Sequence, residues 1–248
     1  MKLNRSIERS IRILEMISES HKGVTLLEIQ EKFDLAKSSA FDIVKTLLEL
    51  EMISCIEGAQ KRYKIGIRTF QLGLSYEDDL LKIARKHIKV LAEKLNKTTF
   101  LGIEKDGEII YLDKCEPKSP IITTATLGTK NPIHCTALGK SMLSGYLDEK
   151  IIKILKEKGM ERKTEFTICK IEDFLKELNT VREKGYAVDN RELEENMLCL
   201  SAPIYDKSKK IIAAISASGF YNKSENYELN AEILKNIACE ISRELGYK

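Results

Sequence analysis

The 248-residue sequence predicts an α+β protein with two modules, and three observations lead to this fold class. Residues 1–66 contain three segments of helical periodicity and then two β-prone runs, a pattern typical of a winged helix-turn-helix. Residues 80–248 contain β-prone runs interspersed with amphipathic helices, which indicates antiparallel strands and helices in one domain. Residues 67–79 lie between the two modules and are predicted to form a linker.

Three short helices are predicted in the first module. Ser6 is expected to cap the first helix, and Thr25 and Glu28 fit a capping box at the start of the second. A tight turn at residues 34–36 leads into a third helix over about residues 37–51. The helical spacing of the first segment predicts an inward stripe of Ile7, Ile11, Leu14 and Ile17.

The third helix and the hairpin that follows it predict a DNA-binding surface. In a helix-turn-helix, the N-terminal part of the second helix of the pair enters the major groove. The predicted hairpin turns at a loop that contains Gly58, and its basic second strand would meet phosphates. The predicted DNA-binding residues are Lys37, Ser38, Ser39, Phe41, Asp42, Lys45, Thr46, Lys61 and Arg62.

Six motifs are spread along nearly the whole chain, at residues 6–14, 35–39, 62–66, 131–140, 181–189 and 202–204. In combination they resemble the IclR family of transcriptional regulators. Two departures from the family pattern are Ala36, where a proline is common, and Asp42, where a basic residue is common. The resemblance implies a winged helix, a linker helix and a C-terminal GAF/PAS-like domain that holds a small organic acid on one face of its sheet. It also implies a homodimer or a dimer of dimers.

A ligand site is predicted in the second module, where a long loop leads into a helix that Thr136 can cap. The free backbone N–H groups at the start of such a helix suit a carboxylate. Ser216 and Ser218 alternate with apolar residues, so their hydroxyls share one face; alternatively this is the solvent face of a half-buried strand, and Asp189 is a turn former. Together with the cavity positions that the resemblance implies, the effector-binding residues are Cys135, Thr136, Ala137, Leu138, Asp189, Cys199, Ser216 and Ser218.

Composition and motifs narrow the function classes. No apolar run approaches the ~18 residues of a membrane span, and the start lacks a signal-peptide core, so we expect a cytoplasmic protein without a membrane partner. The six cysteines are spaced singly, which argues against a zinc or redox site, and no metal or cofactor is expected. No catalytic fingerprint is present, and His134 and Cys135 point opposite ways in an extended segment, so we expect no enzyme.

Two alternatives to a ligand-responsive DNA-binding regulator remain open on the sequence alone. The first is a winged-helix protein-interaction sensor that does not bind DNA. It is favoured by the small charge surplus through Ser75, where 12 Lys and Arg residues stand against 10 Asp and Glu residues. A dimer would double that surplus and strengthen DNA binding. The second alternative is an enzyme with an appended regulatory domain.

Overall fold

A computed structural model describes residues 3–58, 60–74, 79–117 and 125–248, and the chain divides into two compact units, Met1–Glu77 and Asp78–Lys248. The first unit packs three helices on a small antiparallel hairpin, and part of the predicted linker forms a further helix of this unit. Its elements are α1 (Arg5–Ser18), α2 (Leu26–Phe33), α3 (Lys37–Glu49), β1 (Ile53–Ile56), β2 (Arg62–Ile65) and α4 (Ile67–Leu74).

Local hydrogen bonds determine where the first three helices begin and end. The capping box is confirmed, because the Thr25 hydroxyl accepts from the Glu28 N–H and the Glu28 carboxylate accepts from the Thr25 N–H. Ser6 as the cap of α1 is wrong: extended Asn4 caps this helix, since its side-chain oxygen accepts from the N–H groups of Ser6 and Ile7. α3 ends two residues earlier than predicted.

The buried face of α1 differs from the predicted stripe. Ile13 and Ile17 lie in the core of the first unit, whereas Ile7 and Ile11 are 64% and 51% exposed. The prediction was wrong for Ile7 and Ile11 because α1 carries apolar residues on two sides, and periodicity does not tell which side meets α2 and α3. An apolar face of α1 therefore stays uncovered in the single chain.

The hairpin is joined to the start of α2 by a third extended segment. Ile53 pairs with Ile65 in the β1–β2 register, and Val24 forms an isolated bridge with Tyr63 through hydrogen bonds of 2.9 and 2.7 Å. Gly23 precedes this bridge at φ 77°, and a Cβ there would lie 2.9 Å from the Tyr63 carbonyl oxygen. Glycine thus permits the close approach that ties the hairpin to α2.

The second unit is built around one antiparallel sheet of six strands in the order β5-β4-β3-β8-β7-β6, as traced in its described residues. β6 and β5 are its edges. Its strands are β3 (Thr98–Lys105), β4 (Glu108–Cys115), β5 (Lys130–Pro132), β6 (Ala187–Asn190), β7 (Met197–Tyr205) and β8 (Ile211–Phe220), and its helices are α5 (Asp79–Leu95), α6 (Ala137–Leu143), α7 (Asp148–Lys158), α8 (Ile171–Lys184) and α9 (Tyr227–Glu244).

Helices cover both faces of this sheet, so residues on both sides of its central strands are buried. Leu200 and Ile215 face α5 and α9, whereas Phe100 and Ala214 belong to the core that includes α6, α7 and α8. Ser216 and Ser218 lie on the α6 side of β8 and are buried, so the alternative of a solvent face is wrong. Asp189 is paired with Cys199 within β6 and β7, and its carboxylate also accepts from the N–H groups of Glu192 and Leu193, so it shapes the turn after β6 as the alternative expected.

Candidate functional site

The outward face of α3 carries the predicted groove-facing residues. Ala40, Val44 and Leu47 hold the inner face of this helix in the core. Phe41 is 51% exposed, and the Asp42 side chain beside it is also exposed. The structure thus places all seven predicted residues of α3 on the accessible side: Lys37, Ser38, Ser39, Phe41, Asp42, Lys45 and Thr46.

Among the residues that the structure describes, no side chain caps the start of α3. Ala36 occupies the N-cap position, and no acidic residue lies in the first turn. The first N–H groups of a helix have no partner within the helix, and they carry the positive end of its dipole. A phosphate oxygen could therefore complete this helix start, next to the exposed Lys37 side chain.

The two predicted phosphate contacts of the hairpin differ in their surroundings. The Lys61 side chain is exposed, with its ammonium group 3.4 Å from a Glu57 carboxylate oxygen. Arg62 is half-buried: its Nη1 donates to the Gly23 carbonyl oxygen at 2.8 Å and lies 3.7 Å from a Glu28 oxygen. Sequence reasoning missed this second role, in which Arg62 fastens the hairpin to the segment before α2.

An open groove of about 770 Å³ follows the uncovered face of α1. Leu3, Ile7 and Ile11 supply exposed apolar side chains, and Met16 and Phe33 add to the lining. Glu8 and Arg12 form an ion pair of 2.8 Å along the same groove. The groove thus combines an apolar floor with charged side chains along it.

A small cavity on the α6 side of the second sheet is lined in part by predicted effector residues. Three of them, Asp189, Cys199 and Ser218, line this cavity. Its volume is about 40 Å³, well below the roughly 300 Å³ at which ligand pockets begin. Sequence reasoning missed the other lining residues because they come from distant strands and loops: Phe100, Tyr111, Ala125, Leu193, Glu194 and Met197.

The other five predicted effector residues are buried but are not among the described lining residues of this cavity. Thr136 is the predicted cap of α6, and its hydroxyl accepts from the Gly139 N–H at 3.1 Å. Leu138 packs against β3, where a Cβ on Gly102 would come within 2.9 Å of it. Cys135, Ala137 and Ser216 are likewise buried.

Asp189 combines a structural and a chemical property. Its Oδ1 accepts from the backbone N–H groups of Glu192 at 2.7 Å and Leu193 at 3.3 Å, which folds the loop after β6 over the carboxyl group. Burial raises the pKa of Asp189 to about 7, although these hydrogen bonds oppose the shift. Near neutral pH this side chain can therefore be a neutral acid whose hydroxyl donates a hydrogen bond.

A buried lysine holds the same loop from the other side. Lys140 is fully buried in α6, and its ammonium group donates to the Val188 carbonyl oxygen at 2.8 Å, to Glu177 at 3.2 Å and to Oε1 of Glu192. The other Glu192 oxygen is buried without a hydrogen-bond partner within the described residues. Thr167 also donates to the Glu192 carbonyl oxygen. The polar network thus ties α6 to β6, which carries Asp189, and to the loop that follows it.

The thiols and the histidine of this region are arranged for packing. Burial raises the pKa of Cys135 to about 12 and also raises the pKa of Cys199, so both stay neutral thiols. His134 bonds to the Glu161 carbonyl oxygen at 3.0 Å, and burial lowers its pKa.

Across the described ranges, no three His, Cys, Asp or Glu side chains are grouped to hold a metal ion. No helix in these ranges is long and apolar enough to cross a membrane.

Comparison with known proteins places both units in one family. A model of the IclR helix-turn-helix domain matches residues 6–54, and a model of the C-terminal part of bacterial IclR regulators matches residues 75–243. The transcriptional regulator KdgR of Dickeya chrysanthemi is 28% identical over 98% of this chain and 80% of its own length.

Solved structures agree with this assignment. The IclR protein of Thermotoga maritima is 30% identical, with a TM-score of 0.77 over 98% of this chain and 99% of that chain. An IclR homologue from Microbacterium hydrocarbonoxydans, complexed with 4-hydroxybenzoate, has a TM-score of 0.85 at 21% identity over 97% of this chain and 98% of its own. The chain therefore belongs to the IclR family of bacterial transcriptional regulators and is a regulator with a helix-turn-helix domain rather than an enzyme.

Proposed function

We propose that this regulator binds operator DNA with α3 in the major groove, and that a small organic acid in the second unit modulates this binding. The observation that carries the DNA-binding part is the outward face of α3, on which every predicted groove-facing side chain is exposed. Phe41 is suited to a thymine methyl group, which is a specific apolar contact.

Phosphate contacts would come from the start of α3 and from the hairpin. The uncapped start of α3 and Lys37 would meet one phosphate, and the hairpin would meet others through Lys61 and Arg62. A guanidinium group has five N–H donors, so Arg62 keeps donors for a phosphate while its Nη1 bonds to Gly23.

Phe41→Ala and Lys61→Ala should change DNA binding in different ways. Duplexes selected from a randomised library by the full chain would be measured over a salt series. Lys61→Ala should weaken binding to all sequences alike and reduce the salt slope by about 1, whereas Phe41→Ala should change the preferred bases and keep the slope. Arg62→Ala should resemble Lys61→Ala and also lower the melting temperature, because the bond to Gly23 is lost.

Two outcomes of this experiment would contradict the assignment. If Lys61→Ala and Arg62→Ala both keep the parent salt slope, the hairpin does not contact phosphate. If the parent chain binds no duplex in a salt-dependent manner, the protein-interaction alternative replaces DNA binding.

The second unit is proposed to bind the effector at the cavity beside Asp189. Phe100 and Tyr111 form an aromatic pair with ring centroids 4.8 Å apart, and the Ser218 hydroxyl lies on the same lining. An aromatic wall with a few polar groups suits a small organic acid, and the Microbacterium homologue is complexed with one such acid. Because the cavity has only about 40 Å³, the ligand would have to displace lining side chains.

The charge of the lining decides how an acid could bind there. Asp189 and Glu194 are the ionisable carboxyl groups among the lining residues, and an ionised Asp189 would repel a ligand carboxylate. A protonated Asp189 removes this repulsion and donates from Oδ2, while Oδ1 continues to accept from the loop N–H groups. We therefore propose that the neutral form of Asp189 binds the acid.

Binding of a carboxylate effector should weaken as the pH rises. With a pKa of about 7, the protonated fraction of Asp189 falls about tenfold between pH 6 and pH 8, while the ligand stays ionised. Calorimetry with 4-hydroxybenzoate and other small acids on the full chain should show this loss. Asp189→Asn should bind with little pH dependence, and Ser218→Ala should bind more weakly with the pH dependence retained. A flat profile for the parent would contradict the role of Asp189.

Homodimerisation is proposed through the α1 groove. Helix-turn-helix proteins usually read two half-sites as dimers, and a second copy would double the small surplus of positive charge in one first unit and so strengthen binding. The uncovered Ile7 and Ile11 supply apolar area for an isologous contact, in which the same face of each copy meets the other.

A further inference from the structure

Asp42 is an acidic side chain on the face of α3 that would meet negatively charged DNA. Its carboxylate is exposed, and within the described residues it has neither a hydrogen-bond nor an ion-pair partner. The nearby cation does not neutralise it, because the Lys45 ammonium group pairs with Glu49 at 3.8 Å. Thr46 donates to the Asp42 backbone oxygen and leaves the carboxylate untouched.

A carboxylate in the major groove is repelled by phosphates unless a base donates a hydrogen bond to it. An ionised carboxylate only accepts hydrogen bonds. Guanine presents two acceptors in the major groove, and thymine presents an acceptor and a methyl group. Adenine places the N7 acceptor beside its amino group, whereas cytosine presents its N4 amino group alone. Cytosine is thus the base whose amino group a carboxylate can reach without facing an acceptor on the same base.

We propose that Asp42 selects a cytosine in each half-site of the operator by accepting a hydrogen bond from its N4 amino group. This inference rests on the proposed function, in which α3 enters the major groove. It adds a base identity at the position where the family commonly has a basic residue, and it assigns the specificity to one side chain. Phe41 and Asp42 are adjacent on α3, so the bases they read are expected to be close together.

The test is base selection by the full chain and its Asp42→Asn and Asp42→Ala variants from a randomised duplex library. The parent should enrich cytosine at one position of each half-site. Asp42→Asn should enrich adenine there, because an amide both accepts and donates. Asp42→Ala should lose the preference, with a roughly 5- to 150-fold smaller discrimination against other bases. Glu31→Gln, which removes an exposed acid from α2, is the matched control and should keep the parent preference.

A base analogue that lacks only the N4 amino group tests the assignment more directly. A duplex with 2-pyrimidinone in place of that cytosine lacks the amino group, so it should weaken binding by the parent more than binding by Asp42→Ala. Since Asp42 is exposed, both variants should unfold at the parent temperature. The inference is overturned if Asp42→Asn keeps the parent preference at every position. If the parent itself shows no salt-dependent duplex binding, the proposed function fails first.

Discussion

Replacing Ile7 and Ile11 together by aspartate should convert the proposed dimer into monomers and weaken operator binding by at least about 100-fold. Both side chains are exposed on the α1 groove, and two charges there would have to be buried in the contact between copies. The loss is large because linked half-site contacts multiply affinity by roughly 10² to 10⁴. Ile13 and Ile17 keep α1 in the core, so the unit should stay folded.

Light scattering and duplex binding measure the two effects of this change. The parent should have twice the 28.3-kDa mass of one chain, and the variant the mass of one chain. Leu147→Asp is the control, because it adds a charge at an exposed apolar residue of the second unit and should preserve mass and affinity. A double variant that remains a dimer would show that the groove is not the contact.

Lys140→Met should destabilise the second unit by about 3–5 kcal/mol. The change leaves Glu192 buried without its cation, and an uncompensated buried charge is much more costly than a lost surface pair. Calorimetry of the full chain should show that the free energy of unfolding of the second unit is lowered by this amount. The first unit supplies an internal reference, because it has its own core.

Two further variants separate the loss of the ion pair from loss of packing. Lys176→Met breaks an exposed pair with Asp173 and should change stability by less than about 1 kcal/mol. Lys140→Met combined with Glu192→Leu removes both charges and should recover much of the loss, since apolar replacements of buried pairs are often neutral. A Lys140→Met variant as stable as the parent would contradict the role of this network.

Local chemistry made much of the first unit predictable. The capping box at Thr25 and Glu28 could be predicted because it depends on four consecutive residues, and the inner face of α3 follows helical spacing. The orientation of α1 was not predictable in this way. Its apolar residues occupy two sides, and only packing against α2, α3 and the hairpin decides that Ile13 is buried and Ile7 is not.

The cavity was predictable in part, for a related reason. Alternation along β8 placed Ser216 and Ser218 on one face, and the structure buries both on the α6 side. The contacts of Phe100 and Leu193 with the same cavity depend on sheet order and on a loop fold, which no local pattern contains. The Lys140–Glu192 pair spans 52 positions, and the structure rather than any local pattern shows that the whole run of α6 around this lysine is buried.

The fastening of the hairpin to α2 limits how an effector could change transcription. Arg62 holds the Gly23 carbonyl oxygen, and the Val24–Tyr63 bridge joins the hairpin to the segment before α2. The helices and the hairpin of the first unit are therefore expected to move together as one rigid body. In the proposed dimer, an effector would then alter the distance and helical phase between the two copies of the first unit, rather than the bases that each copy prefers. Such a regulator would distinguish operators by the length of the spacer between their half-sites, while the base preference within each half-site stays the same.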